Sequence, residues 1–224
     1  MNTSYRTAGR AAIASGVIGI LGIGSLLGYL TTFGQDAQNV VVLQKLHDAF
    51  LILQLVFLIP VVIAFCKIMH GHSSYMLKTL LNFGIGALCF TILFLLLALP
   101  KILKDFLFMF PQGVFGVWLI IACWRLKGLI PQWIRWFGII VGLGLTLVGI
   151  FPLGYALFVD KIILHIPAPS DEMMEKIPSD TPANIFLHQI LWIGSLMGML
   201  TLPIWTILIG IRLLRINLVK QMRN

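Results

Sequence analysis

A few polar side chains stand out in a sequence that is otherwise a succession of apolar runs. Gln44, His47, Asp48 and Gln54 fall close together, and His188 stands near the start of the last run. Gln44 and Asp48 are four residues apart, and His47 and Gln54 seven, so a helix would carry them broadly on one face. A His-Asp-His group can hold a divalent metal, and two histidines on separate helices can grip a haem. The same residues at a lipid–water boundary can simply hydrate helix ends. His47 and Asp48 adjoin, so they project ~100° apart on a helix. One histidine would then face inward while Asp48 orients a neighbouring group. His165 lies apart, in a long loop.

Other chemistry is missing. There is no HExxH, EF-hand loop, Walker A, GxSxG, or GxGxxG after a strand. Cys66, Cys89 and Cys123 have no CxxC partner and lie in or beside apolar runs, which is neither a disulfide framework nor a zinc ribbon. Cys66-Lys-Ile-Met-His70-Gly-His72 supplies three soft ligands but no fourth, and reads as a solvated loop. These patterns assign no metal and no cofactor.

The elements that must position these residues follow from composition. The chain has 224 residues, 59% of them apolar and only 11% charged. Soluble domains carry roughly 25% charged residues, so a soluble enzyme, a disordered tail and a disulfide scaffold are excluded. A bilayer core of ~30 Å needs about 20 apolar residues of helix. Six segments meet that length: 11–30, 46–65, 79–99, 106–124, 133–159 and 185–211. The runs do not alternate as barrel strands do, so helices are the spanning option. The expected fold is all-α: a single polytopic transmembrane bundle over residues 1–224. Residues 11–30 are too long for a signal-peptide core and no Ala-x-Ala site follows, so they read as an uncleaved first span. Thr181 and Pro182 read as the N-cap and first residue of the last helix.

Orientation comes from loop charge. With the N-terminus inside, the inner segments hold eleven Lys and Arg and the outer segments five. The positive-inside rule then gives an N-in, C-in protein of the cytoplasmic membrane. All eight acids fall on outer segments, so the net charge of +8 is a basic inner face beside anionic lipid. It calls for no nucleic acid. Trp124, Trp133 and Trp136 bracket an inner loop, as interfacial aromatics do. The outer loop 160–184 is acidic and proline-broken, and 170–177 could form two turns of amphipathic helix on the surface. Counting ~1.5 Å per residue, His47 lies about 30 Å from Lys67, and His188 about 36 Å from Arg212. The two could share a height near the outer boundary. No acid or base falls in the middle third of a span, which disfavours pumps and intramembrane proteases.

Packing signals are the small-residue pairs Gly24/Gly28, Gly138/Gly142 and Gly194/Gly198, whose spacing lets helix backbones approach closely. Pro60, Pro152 and Pro203 lie inside spans and can kink them. Pro60 and Pro152 lie at similar distances from the ends of the second and fifth helices, as in a three-plus-three inverted repeat.

The stretch from Phe110 to Gly138 carries a helix ending in Arg125, then Leu129-Ile-Pro131-x-Trp133, then Trp136-x-Gly138 opening the next helix. In this it resembles a family of bacterial multi-pass membrane proteins defined only as a domain of unknown function. The N-terminal Arg6-Thr-Ala-Gly-Arg10 entry and the Trp205 helix fit loosely, while loop 160–184 departs from the pattern. The resemblance implies a bacterial cell-membrane protein and lends no activity. The expected function is non-catalytic: binding or assisting a lipid, a small apolar molecule or a membrane partner. The alternatives are a metal- or haem-dependent enzyme or redox protein using His47, Asp48 and His188 at the outer face, and a small transporter hinging at Pro60 and Pro152.

Overall fold

The computed structural model describes residues 3–32, 37–69, 74–128, 130–169 and 181–222. Its helices are α1 (Thr3–Thr32), α2 (Ala37–Ile68), α3 (Ser74–Ala98), α4 (Met109–Arg125), α5 (Gln132–Phe158), α6 (Pro182–Gly194) and α7 (Leu202–Met222). Short 3-10 turns at Asp105–Phe108 and Lys161–Leu164 precede α4 and follow α5. A π-helical turn, Ser195–Met199, joins α6 to α7. Six helical stretches are long and apolar enough to cross a membrane, with α6, the π turn and α7 making up the last, Pro182–Arg215. Among the described residues there is no strand. Buried in lipid, a backbone without water must satisfy its N–H and C=O groups internally, and continuous helix does so.

The spans run beyond their expected ends. α1 begins at Thr3 rather than near residue 11, and α2 at Ala37 rather than 46. Polar residues such as Tyr5, Arg6 and Gln44 are tolerated in the extra turns because a helix end at an interface needs no apolar side chains. Thr181 caps α6 as expected: its Oγ1 accepts the Asn184 N–H at 3.3 Å, with Pro182 in the first turn. Gly128, at φ +83°, turns the chain out of α4, and Pro131 caps α5. The proposed surface turn at 170–177 lies outside the described residues, as do His70 and His72.

Consecutive helices pack side by side and α7 returns against α1, closing a ring. α1 and α7 run antiparallel: a Cβ at Gly9 would lie 3.0 Å from the Gly210 carbonyl oxygen. The start of α1 and the end of α7 therefore sit at one end, here the terminal end; the end of α1, the starts of α2 and α6, and residues 99–104 and 159–169 mark the opposite, loop end. The interior of the terminal half is filled by aromatic rings. Phe65 stacks on Trp118 at 6.3 Å and meets Trp205 edge-on at 5.9 Å, while Phe115 stacks on Trp118 at 5.2 Å. Each indole is tied to a neighbouring helix, Trp118 Nε1–H donating to Leu80 O (2.8 Å) and Trp205 Nε1–H to Ile134 O (3.2 Å). A buried indole needs such a partner.

Glycine makes the tightest crossings. A Cβ at Gly113 would lie 2.5 Å from Gly149 Cα, and one at Gly144 would lie 2.3 Å from Gly198 N. Gly138, Gly142, Gly194 and Gly198 lie at crossings of this kind, against Cys123 and Trp205, Gly116, Gly144, and Leu145 respectively. Gly24 does not: a Cβ there would meet nothing within 4 Å, and one at Gly28 would make only ordinary contact with Leu43 at 3.6 Å. The expectation that Gly24 packs a helix is corrected, because the last span has left α1 by that height. α2 and α5 run through Pro60 and Pro152 as continuous helices, and the break in α geometry lies in the last span. Pro203 sits beside that break, in the first turn of α7, rather than inside a regular helix. It has no N–H to give to the Met199 carbonyl. Leu200 N–H instead reaches back to Ser195 O at 3.0 Å, and the Thr201 hydroxyl donates to Met197 O.

Candidate functional site

The break in the last span shapes the site. Near the terminal end α7 lies tightly on α1, where a Cβ at Gly16 would meet Pro203 O and Ile207 at 2.5 and 2.4 Å. Contact persists to Gly19, where a Cβ would lie 2.7 Å from Pro203 Cγ. Beyond the π turn, α6 packs along α5 instead. Gly22 then meets only α2, through Phe50 and His47. The ring is thus closed at the terminal end and parted between α1 and α6 at the loop end.

A cavity of about 500 Å³ fills the parting, lined from α1, α2, the Asp105–Phe108 turn, α4, α6 and the π turn. Its walls are mainly apolar, with Ile23, Leu26, Leu51, Leu191, Leu196 and Met199 among them. That size and character suit a small ligand. Leu27, Leu30 and Trp192, which line it on the two sides of the gap, are 57%, 57% and 68% exposed, and so would face lipid chains.

All five polar residues singled out in the sequence line this cavity: Gln44, His47, Asp48, Gln54 and His188. His47 and Asp48 both reach it despite their angular separation, because the space is wide enough to meet two adjacent positions. Gln44 Nε2–H donates to Asp105 Oδ2 at 3.0 Å and joins α2 to the turn before α4. His47 Nδ1–H donates to Gly22 O at 3.0 Å, and His188 Nδ1–H to Asn184 O at 2.9 Å. A carbonyl only accepts, so each ring carries its proton on Nδ1 and, when neutral, offers Nε2 as an acceptor. The Phe151 ring meets His188 edge-on at 5.4 Å. Deeper in, the Gln54 side chain lies against Gly19, and the Gln54 backbone carbonyl accepts from Ser15 Oγ at 3.0 Å. His165 is exposed on the loop and does not line the cavity.

Sequence reasoning missed Asp105, Gln112, Tyr29, Phe106 and Ser195, which also line the space. Gln112 is 1% exposed, and its Oε1 has no hydrogen-bond partner. A solitary amide just after Pro111 was the available signal. Among the described residues, no three His, Cys, Asp or Glu side chains gather as a metal-ligand set. His47, Asp48 and His188 therefore share one cavity without forming a three-ligand centre.

Loop 160–169 is anchored beside the site. Asp160 Oδ1 accepts Ile162 N–H at 2.8 Å, and Ile163, fully buried, packs with Phe151, Tyr155 and Leu187.

Fold and site together define a multi-pass helical membrane protein with a laterally parted, largely apolar cavity at one end. No protein-family model, curated protein or solved structure matches the chain.

Proposed function

We propose that this is a non-catalytic binding protein of the bacterial cytoplasmic membrane, which takes a lipid-like amphiphile sideways from the bilayer into the α1–α6 cavity. The observation that carries the reading is the parting of α6 from α1 at the π turn, which leaves an apolar space lined by lipid-facing side chains. An amphiphile needs apolar walls for its chain and a polar rim for its head. Leu26, Leu51, Leu196 and Met199 supply the walls; Gln44, His47, Asp48, Asp105 and His188 supply the rim. Both termini face the cytoplasm, with the cavity at the outer leaflet; the bias of eleven basic residues against five supports this orientation. The resemblance of residues 110–138 to a bacterial multi-pass family supports the choice of membrane.

The test is mass spectrometry of the protein purified in mild detergent. Wild type should retain one amphiphile per chain. Ser195→Trp, which fills the cavity, should retain none while keeping its helical circular dichroism. Equal retention by the two proteins would overturn the reading.

A further inference from the structure

The polar lining of the cavity falls into two tiers. His47, Asp48, Asp105 and His188 belong to the upper one, towards the loop end. Gln112 and Ser195 belong to a lower one, and two observations set its depth. The Phe151 ring meets Phe106 at 5.9 Å and His188 at 5.4 Å, so these residues share a level. Gln112 follows Phe106 by six residues and Ser195 follows His188 by seven, which by helical rise sets each ~10 Å deeper. The helix crossings agree. A Cβ at Gly113 would lie 2.5 Å from Gly149 Cα, and one at Gly194 would lie 3.0 Å from Val148 N, so the neighbours of Gln112 and Ser195 flank consecutive residues of α5. Both lower side chains are poorly matched within the protein. Gln112 is 1% exposed, and among the described residues its Oε1 has no hydrogen-bond partner. The Ser195 hydroxyl donates to Met199 Sδ at 3.8 Å, and a thioether is a weak acceptor. A buried acceptor left unmade is costly, and a donor that reaches it recovers the loss.

We infer that the occupant is an amphiphile with a hydroxyl on its chain, ~10 Å below its head, received between Gln112 and Ser195. This rests on the cavity reading above and adds a second point of recognition, separate from the head. A hydroxyl both donates and accepts. It gives its proton to Gln112 Oε1 while its oxygen takes the Ser195 Oγ–H in place of the thioether. If the Gln112 amide is turned over, the hydroxyl accepts from Nε2 and still has its own proton to give. An unbroken alkyl chain brings neither group and leaves the Gln112 oxygen unmade. A charged group at this depth is disfavoured, because Gln54, Gln112 and Ser195 are all neutral and offer it no counter-ion.

The experiment uses full-length protein in zwitterionic nanodiscs and three probes with the same neutral head and chain length: 1-stearoylglycerol and its analogues hydroxylated at carbon 2 or carbon 10 of the acyl chain. Binding is read by displacement of a fluorescent monoacylglycerol. The 10-hydroxy isomer, whose hydroxyl reaches the lower tier when the head stays at the rim, should bind roughly 10-fold tighter than the other two. Gln112→Met with Ser195→Ala should remove that preference while leaving 1-stearoylglycerol bound as before. The comparison of isomers on wild type needs no variant. Equal binding of the 2-hydroxy and 10-hydroxy isomers, as a lower tier satisfied by water would give, overturns the inference and leaves the cavity reading in place. So does a preference that survives the double substitution. Failure of the fluorescent lipid and all three probes to bind wild type overturns both.

Discussion

At the scale of single residues, two glycines within apolar helices have opposite environments. Gly24 borders open space, while a Cβ at Gly144 would lie 2.3 Å from Gly198 N. Gly24→Ala should therefore be neutral or raise stability by up to about 1 kcal/mol, the helix-propensity difference between the two residues. Gly144→Val should cost on the order of 1–3 kcal/mol or more through overpacking against backbone. Thermal unfolding in detergent checks the pair, and a Gly24→Ala loss equal to that of Gly144→Val would contradict the assignment. Gln112→Met should leave the melting temperature unchanged or raise it, because an unmade buried hydrogen bond costs about 1–3 kcal/mol. The rim residues were legible in the sequence because Gln44, His47, Asp48 and His188 interrupt apolar runs, and helical rise set them at a common height. Asp105 and Gln112 were not, because their partnership with α2 depends on how α4 docks. The crossings at Gly113/Gly149 and Gly144/Gly198 were hidden for the same reason: each pairs glycines of different helices, and spacing within one helix says nothing of the partner.

At the scale of elements, length and hydropathy sufficed for the six spans, and Thr181-Pro182 for the start of α6, because these are local signals. The π turn at Ser195–Met199 was not legible. Gly194-Ser-Leu-Met-Gly198 reads as ordinary small-residue helix, and only the conflict between Pro203, the crossing at Gly144 and the departure of α6 from α1 makes the extra residue visible. Its consequence is testable. Deleting Leu196 removes one residue from the turn and should restore regular α spacing, swinging α6 towards α1 and narrowing the gap. Amphiphile retention should then fall at least tenfold, with helicity by circular dichroism preserved. A deletion variant that folds and retains its amphiphile as well as wild type would show that the π turn does not hold the cavity open. Pro60 and Pro152 lie within the continuous helices α2 and α5, away from the π turn.

At the scale of the whole molecule, the fold divides into a packed terminal half, plugged by Phe65, Trp118 and Trp205, and a parted loop half. In the proposed orientation the packed half lies on the cytoplasmic side. Reporter fusions after Lys127 and at the C-terminus should report cytoplasm, and one after Glu172 the outside; an outside signal at Lys127 would reverse the account. The central claim is that the cavity opens sideways to lipid, and fluorescence quenching addresses it most directly. Trp124, Trp133, Trp136 and Trp192 are replaced by Phe, leaving Trp118 and Trp205, each 1% exposed, as references that lipid cannot touch. Leu51→Trp then sets an indole in the cavity wall, and the protein is placed in nanodiscs whose lipid chains carry bromine. The account predicts strong quenching of the emission added by Leu51→Trp, with the two reference indoles unquenched. Added emission as fully protected as that of Trp118 and Trp205 would mean a chamber sealed from the bilayer, and would contradict lateral entry.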